Sequence, residues 1–316
     1  MQFLQRQQMN KSTIKIRFID PEFSNWPMHL KIREILGRHY KIEYCAKPDL
    51  LFYSCFGNDY KVYSNCVKIF YTGENVSPNF NDCDYAIGFD YMTFEDRYLR
   101  YEPVYSHIGY CMALRKKAET SLLQRKFCNF IYSNEDEGDG ALLRKYFCQK
   151  LSHYKRIDCP GNVLNNMKNA IEPRNGNWIS SKLDFIKNYK FTIAFENTFS
   201  NGYVTEKIMH AFMTNSIPIY YGDPEVSRMF NPKAFVNVRD FDSFDEAIEK
   251  IKELDSHDEL YMRMLQEPVI DDLSQLEYDF RLEQFLLNII NKGNKPFFHA
   301  QNHLPEERYR IKLFRY

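Results

Sequence analysis

Apolar and polar positions along this chain group into short apolar runs separated by polar turns and by stretches with helical spacing. "TIKIRFID" (13–20) predicts a first strand, and residues 28–40 place Leu30, Ile32, Ile35 and Leu36 at helical intervals. "KIEYC", "DLLFYSC", "VKIFYTGE" and "CDYAIGF" follow, rich in β-branched and aromatic residues. Such continuous apolar runs predict buried strands of a parallel sheet covered on both faces. Strand signals stop near "HIGYCMALRKKAETSLLQRK", which sets a boundary at about residue 122. They restart with "FCNFIYS" (127–133), an acidic loop "NEDEGDG" and the helix "ALLRKYFCQKLSHY". The strand "YKFTIAFEN", helix "TEKIMHAFMTN" and strands "SIPIYYG" and "AFVNV" come next, then a helix opened by a capping box, Ser243 with Glu246. This alternation predicts an α/β protein of two doubly wound, Rossmann-like domains, 1–122 and 123–290, facing across a ligand-binding cleft. An aromatic, basic tail (291–316) is expected to pack back on the first domain, with peripheral contact at a membrane surface as the alternative.

Composition narrows the function classes. Across 316 residues, 42 Lys and Arg balance 42 Asp and Glu, so no net field attracts nucleic acid and any anion site must be local. Aromatic residues make up 16% of the chain; they suit a sugar-handling surface as well as a core. Eight cysteines show no C-x-x-C spacing, and several lie in apolar runs. They read as reduced, buried thiols, which favours a cytoplasmic setting. No apolar run approaches the roughly 18–20 residues of a membrane span.

Candidate chemistry concentrates in residues 195–238. Asn197 ends a strand at the carboxyl edge where ligands gather, Gly202 permits a tight approach, and a helix begins near Thr205. A helix N-terminus presents free N–H groups and a positive dipole end. Lys207 would add a formal charge, and Glu206 could accept from ribose hydroxyls; the competing reading is that both decorate a helix start. Arg144, beyond another strand, is either a surface arginine or a phosphate ligand. Gly138 and Gly140 approach a dinucleotide fingerprint, but Leu143 fills the third position and Glu135, Asp136, Glu137 and Asp139 would repel a pyrophosphate. Two D-x-D pairs, Asp82/Asp84 and Asp240/Asp242, read as solvated turns rather than metal ligands. His210, four residues after Glu206, lacks a third ligand nearby.

The pieces "FEN", "GYVTEKI", "IPIYYG" and "FNPKAFVNV", followed by "DFDSFDEAIEKIKEL", together resemble the α-1,3/4-fucosyltransferases of glycosyltransferase family ten, in their bacterial branch. "YTGENVSPNF" and "DYAIGFDYMTFEDRYLR" extend the resemblance into the first half. It implies a GT-B fold that transfers L-fucose with inversion from GDP-β-L-fucose to the GlcNAc of an N-acetyllactosamine-type oligosaccharide, a Lewis x type product. An α-1,4 or dual linkage, another nucleotide-sugar donor, or a non-catalytic glycan binder are the alternatives. Glu74, in "ENVSP", matches the family's candidate general base. Arg144 and Lys207 match donor-phosphate cations, and Asn197, Tyr203 and Glu206 match donor-binding positions. No metal cofactor is implied, with Mg or Mn as stimulants at most. Tyr221 stands where many relatives carry Trp, and the heptad repeats of some bacterial members are missing. From the thiols and the tail, the expected setting is cytoplasmic, or peripheral on the inner face of the membrane.

Overall fold

A computed structural model of the chain describes residues 11–20, 26–101, 119–134, 139–168, 170–173, 176–270 and 277–293. The chain divides into two compact units. The first opens with β1 (Thr13–Ile19), in which Ile14 and Ile16 are buried and Thr13 and Lys15 exposed. It continues with α1 (Pro27–His39), β2 (Lys41–Tyr44), β3 (Leu50–Tyr53), β4 (Val67–Tyr71), β5 (Tyr85–Gly88) and β6 (Tyr98–Arg100). Pro27 opens α1, where a missing N–H costs nothing. The six strands are parallel in the order β2-β1-β3-β4-β5-β6. β3 is buried at every position, as its unbroken apolar run requires. β2 is largely exposed, because it lies at the sheet edge with one neighbour; the expectation that "KIEYC" is a buried strand fails there.

The second unit contains β7 (Lys126–Asn129), α2 (Asp139–Ser152), β8 (Ile157–Asp158), α3 (Trp178–Ile186), β9 (Tyr189–Phe195) and α4 (Glu206–Met213). It ends with β10 (Ile217–Tyr221), β11 (Val236–Asn237), α5 (Phe244–Ser256) and α6 (Asp258–Gln266). Its strands are parallel in the order β11-β10-β9-β7-β8. From β7 the chain steps outward to β8, then returns past β7 to build β9, β10 and β11. The order therefore reverses between β7 and β9, the place where doubly wound sheets bind ligands. Phe130, Phe147, Phe191, Phe195, Ile219 and Ile251 are buried in the core around this sheet. Ser243 caps α5 as expected, its Oγ accepting the Glu246 N–H at 3.2 Å, while the returning Glu246 carboxylate accepts not from Ser243 but from the Asp242 N–H one residue earlier, at 3.2 Å.

A final helix, α7 (Tyr278–Asn291), belongs to the first unit. This differs from the sequence expectation, which ran the second domain on to residue 290 and placed the boundary near 122; the division here follows Glu102. The physical reason is a matched surface on the first unit. Leu282, Leu286 and Ile289 are buried, Lys31 meets Asp279 at 2.7 Å, His39 and Arg38 both meet Glu283, and Asn288 donates to Asp96. The seven described cysteines are free thiols, five of them buried, and Cys111 lies outside the described residues. So do Glu135, Asp136, Glu137 and Gly138 and the tail from residue 294 onward. Among the described residues no helix is long and apolar enough to cross a membrane.

Candidate functional site

The reversal between β7 and β9 brings two loops together. β9, buried along all seven residues, delivers Glu196 and Asn197 beyond its carboxyl end. β7 leads to Tyr132, whose hydroxyl accepts the Phe195 N–H at 2.7 Å and lies 3.0 Å from the Ile193 and Phe195 carbonyls. Arg144 projects from α2 and is 1% exposed. Its guanidinium lies 4.1 Å over the Tyr132 ring and donates to Asn197 Oδ1 and to the Asn134 carbonyl. The reading of Arg144 as a surface residue is excluded by this burial, and the guanidinium bonds directly to a second candidate. Gly140, from the discarded dinucleotide pattern, explains how α2 comes so close. Its N–H donates to the Asn197 carbonyl at 3.0 Å, and a Cβ there would lie 2.4 Å from the carbonyl oxygens of both Glu196 and Asn197.

After Asn197 the chain makes a turn in which the Tyr203 N–H donates to the Ser200 carbonyl at 3.0 Å. Gly202 has φ +87° within it, the left-handed backbone that glycine adopts without steric cost. Tyr203 is buried. Thr205 then caps α4 without using its own side chain on the helix. Its backbone N–H donates to Glu196 Oε1 at 2.9 Å and its hydroxyl to Glu196 Oε2 at 2.7 Å. Lys207 donates to Glu196 Oε2 at 3.0 Å and to Thr205 Oγ1 at 2.9 Å, and lies 3.9 Å from the Glu206 carboxylate.

Electrostatics follow from these contacts. Burial opposes the charge on Lys207, but Glu196 and Glu206, with Tyr203 and Tyr132, raise its pKa above the ordinary lysine value. Partial desolvation opposes ionisation of Glu206, whose side chain stays 43% exposed, and the charges of Lys207, Lys182 and His210 overcome it, holding the carboxyl well below its usual range. The result is a charged cluster at the N-terminus of α4, where the helix dipole adds a positive end. The glutamate at 196 was not singled out from sequence. An acid placed directly after an unbroken apolar strand was the available signal, since a charge there must find donors once the strand is buried. Arg239, just past β11, was also missed. It donates to the Gly222 carbonyl at 2.9 Å and lies 4.3 Å over Tyr221 at the same sheet edge.

Glu74 belongs to the first unit and is described there alone. It follows the carboxyl end of β4, and its side chain is exposed with no hydrogen-bond partner among the described residues. Its position is set by backbone bonds: its N–H donates to Thr72 Oγ1 at 2.9 Å, and its carbonyl accepts the Val76 N–H at 2.7 Å. Thr72 in turn lies 3.3 Å from the Cys55 thiol of the neighbouring strand's loop.

The D-x-D pairs serve local structure. Asp82 accepts from the Asn79 amide, Asp240 from the Asn237 amide, and the Asp242 N–H goes to Glu246. Asp84 departs from the solvated-turn expectation: it is 2% exposed, accepts the Lys68 N–H at 2.7 Å, and its carbonyl accepts from Arg97 at 2.6 Å. Among the described residues, no cluster of three His, Cys, Asp or Glu side chains could hold a metal ion.

Comparison with known proteins places these features in a family. Residues 16–108 match the Alpha-(1,3)-fucosyltransferase FucT N-terminal domain, and residues 122–266 match the C-terminal domain of Glycosyltransferase family 10 (fucosyltransferase). The Alpha-(1,3)-fucosyltransferase FucT of Helicobacter pylori is 36% identical over 82% of this chain and 59% of its own length, so the chain spans less than two thirds of that relative. A putative fucosyltransferase R654 of Acanthamoeba polyphaga mimivirus is 31% identical over 53% of this chain and 27% of its own. A crystal structure of alpha1,3-fucosyltransferase with GDP superposes with TM-score 0.71 at 31% identity, over 89% of this chain and 91% of that one. One with GDP-fucose gives 0.70 at 30%, over 93% and 94%. Two doubly wound units of parallel strands, and matches to this family across both, make the chain a member of glycosyltransferase family 10, the fucosyltransferases, with the α/β architecture of the GT-B class.

Proposed function

We propose that this protein is an inverting α-1,3-fucosyltransferase that moves L-fucose from GDP-β-L-fucose to the GlcNAc of an N-acetyllactosamine-type glycan. The observation that carries the reading is the charged cluster at the β7/β9 reversal, where Arg144, bonded to Asn197, and Lys207, at the start of α4, stand as two cations beside Glu196 and Glu206 and offer charge to a diphosphate. Relatives crystallised with GDP and GDP-fucose support that donor. In the reaction, the acceptor hydroxyl oxygen attacks C1 of fucose, the C1–O bond to the diphosphate breaks, and GDP leaves. Glu74 takes the hydroxyl proton; its exposed carboxylate at a strand's carboxyl end suits a general base. Arg144, Lys207 and the N–H groups of α4 receive the charge that grows on the departing diphosphate, so the chemistry needs no metal.

Turnover of GDP-fucose with N-acetyllactosamine and lacto-N-biose as paired acceptors, with and without EDTA, tests this. Turnover with the first acceptor alone, surviving EDTA, is the expected result. Turnover with lacto-N-biose would instead indicate α-1,4 or dual linkage. In the same assay Glu74→Gln should lower turnover by roughly two to four decades while leaving GDP affinity unchanged. Near-wild-type turnover would remove Glu74 from the mechanism.

A further inference from the structure

We propose that Glu196 is a positioning residue of the donor site, its buried carboxylate clamping the Lys207 ammonium and Thr205, the cap of α4, in one geometry; this rests on the reading of Lys207 as a diphosphate ligand. Glu196 is wholly buried, and both its oxygens are committed to groups that open α4. Oε1 accepts the Thr205 N–H, and Oε2 accepts the Thr205 hydroxyl and the Lys207 ammonium. An ammonium carries three N–H donors. One goes to Glu196 and one to Thr205 Oγ1, while the Glu206 oxygen at 3.9 Å is beyond hydrogen-bond length. One donor is left for a ligand oxygen, and the two bonds made fix its direction. Gly222 leaves the room this requires, since a Cβ there would lie 2.7 Å from Glu196 Cγ.

The same clamp sets the charge. The groups acting on Lys207 are Glu196 from the end of β9, Glu206 on α4, Tyr203 from the preceding turn and Tyr132 from beyond β7. Burial by itself favours the neutral amine, which could not attract a phosphate. Glu196 makes the closest charged contact, so it keeps Lys207 an ammonium well into the alkaline range. Without it, a partly buried lysine beside Glu206 alone should titrate within that range.

The experiment is GDP binding by calorimetry between about pH 7 and about pH 10, with each variant compared with wild type so that titration of the nucleotide cancels. Lys207→Arg carries a guanidinium that does not titrate in this window, and its profile should run parallel to wild type. Glu196→Gln, of the same shape but uncharged, should lose about tenfold more affinity than wild type across the window. Glu196→Asp, which keeps the charge, should follow the wild-type slope. A Glu196→Gln profile parallel to wild type overturns the proposal. So does a wild-type profile that falls away from Lys207→Arg, a comparison that decides the matter even if the glutamine variant does not fold. Lys207→Ala separates the two readings. Unchanged GDP affinity in that variant overturns the role of Lys207 itself. Weakened affinity together with a parallel Glu196→Gln profile overturns the clamp alone.

Discussion

A buried charge is tolerated where donors surround it, and the two acids of this site, Glu196 past the end of β9 and Glu206 at the start of α4, are stabilised in different ways. Glu196 is enclosed and takes three donors, whereas Glu206 keeps 43% of its side chain exposed and relies on nearby cations. Exposure leaves Glu206 room to meet a ligand, whereas Glu196, with both oxygens bonded to Thr205 and Lys207, is a support. Lys207 has its folded-state pKa raised, so its contribution to stability is complete below the ordinary lysine pKa and is lost only as pH rises through the folded value. Removing it should affect binding directly. Lys207→Ala should weaken GDP affinity by about ten- to hundredfold, the range of a hydrogen bond to a charged group, measured by calorimetry near neutral pH. A loss of less than threefold would place the diphosphate elsewhere.

At the scale of elements, the site depends on how closely α2 approaches the end of β9. Arg144 reaches Asn197 because Gly140 brings the first turn of α2 against the carbonyls of residues 196 and 197. Gly140→Ala puts a methyl group 2.4 Å from two backbone oxygens, which cannot swing aside as a side chain could. The helix must move, at a cost of about 1–3 kcal/mol for overpacking. The variant should unfold at lower denaturant and bind GDP more weakly, because the Arg144–Asn197 bond moves with the helix. Unchanged stability and affinity would show that the contact tolerates a shift. The pair of glycines at 138 and 140 suggested a dinucleotide loop by spacing, yet the second serves helix–strand contact. The spacing of the glycines alone does not separate these uses, since both ask for a missing Cβ; Leu143 and the flanking acids do.

On the scale of the whole molecule, two parallel sheets with the same type of strand reversal are joined in one chain, and the last helix returns to the first. α7 carries its own buried stripe of Leu282, Phe285, Leu286 and Ile289, with Phe285 edge-on to Tyr85 at 6.0 Å. Leu286→Ala, at a position with no exposure, should destabilise the first unit by about 2–5 kcal/mol. Chemical denaturation followed by tyrosine and tryptophan fluorescence would measure it, and a change under about 0.5 kcal/mol, the size of a surface effect, would mean α7 is not part of that core.

The sequence by itself determined the α/β class, the two sheets and the stretch that carries the chemistry. Those rest on local periodicity, on turn residues such as Gly202 and on the capping pair Ser243 and Glu246, all written in neighbouring positions. Only the tertiary structure decided that KIEY is an exposed edge, that Asp84 is buried, that Arg144 meets Asn197 and that Glu196 holds Lys207. It also decided that α7 closes the first unit. Each of these depends on which strand stands beside which and on what covers it. Strand order is set by contacts between residues far apart in the chain, and local pattern carries no record of them.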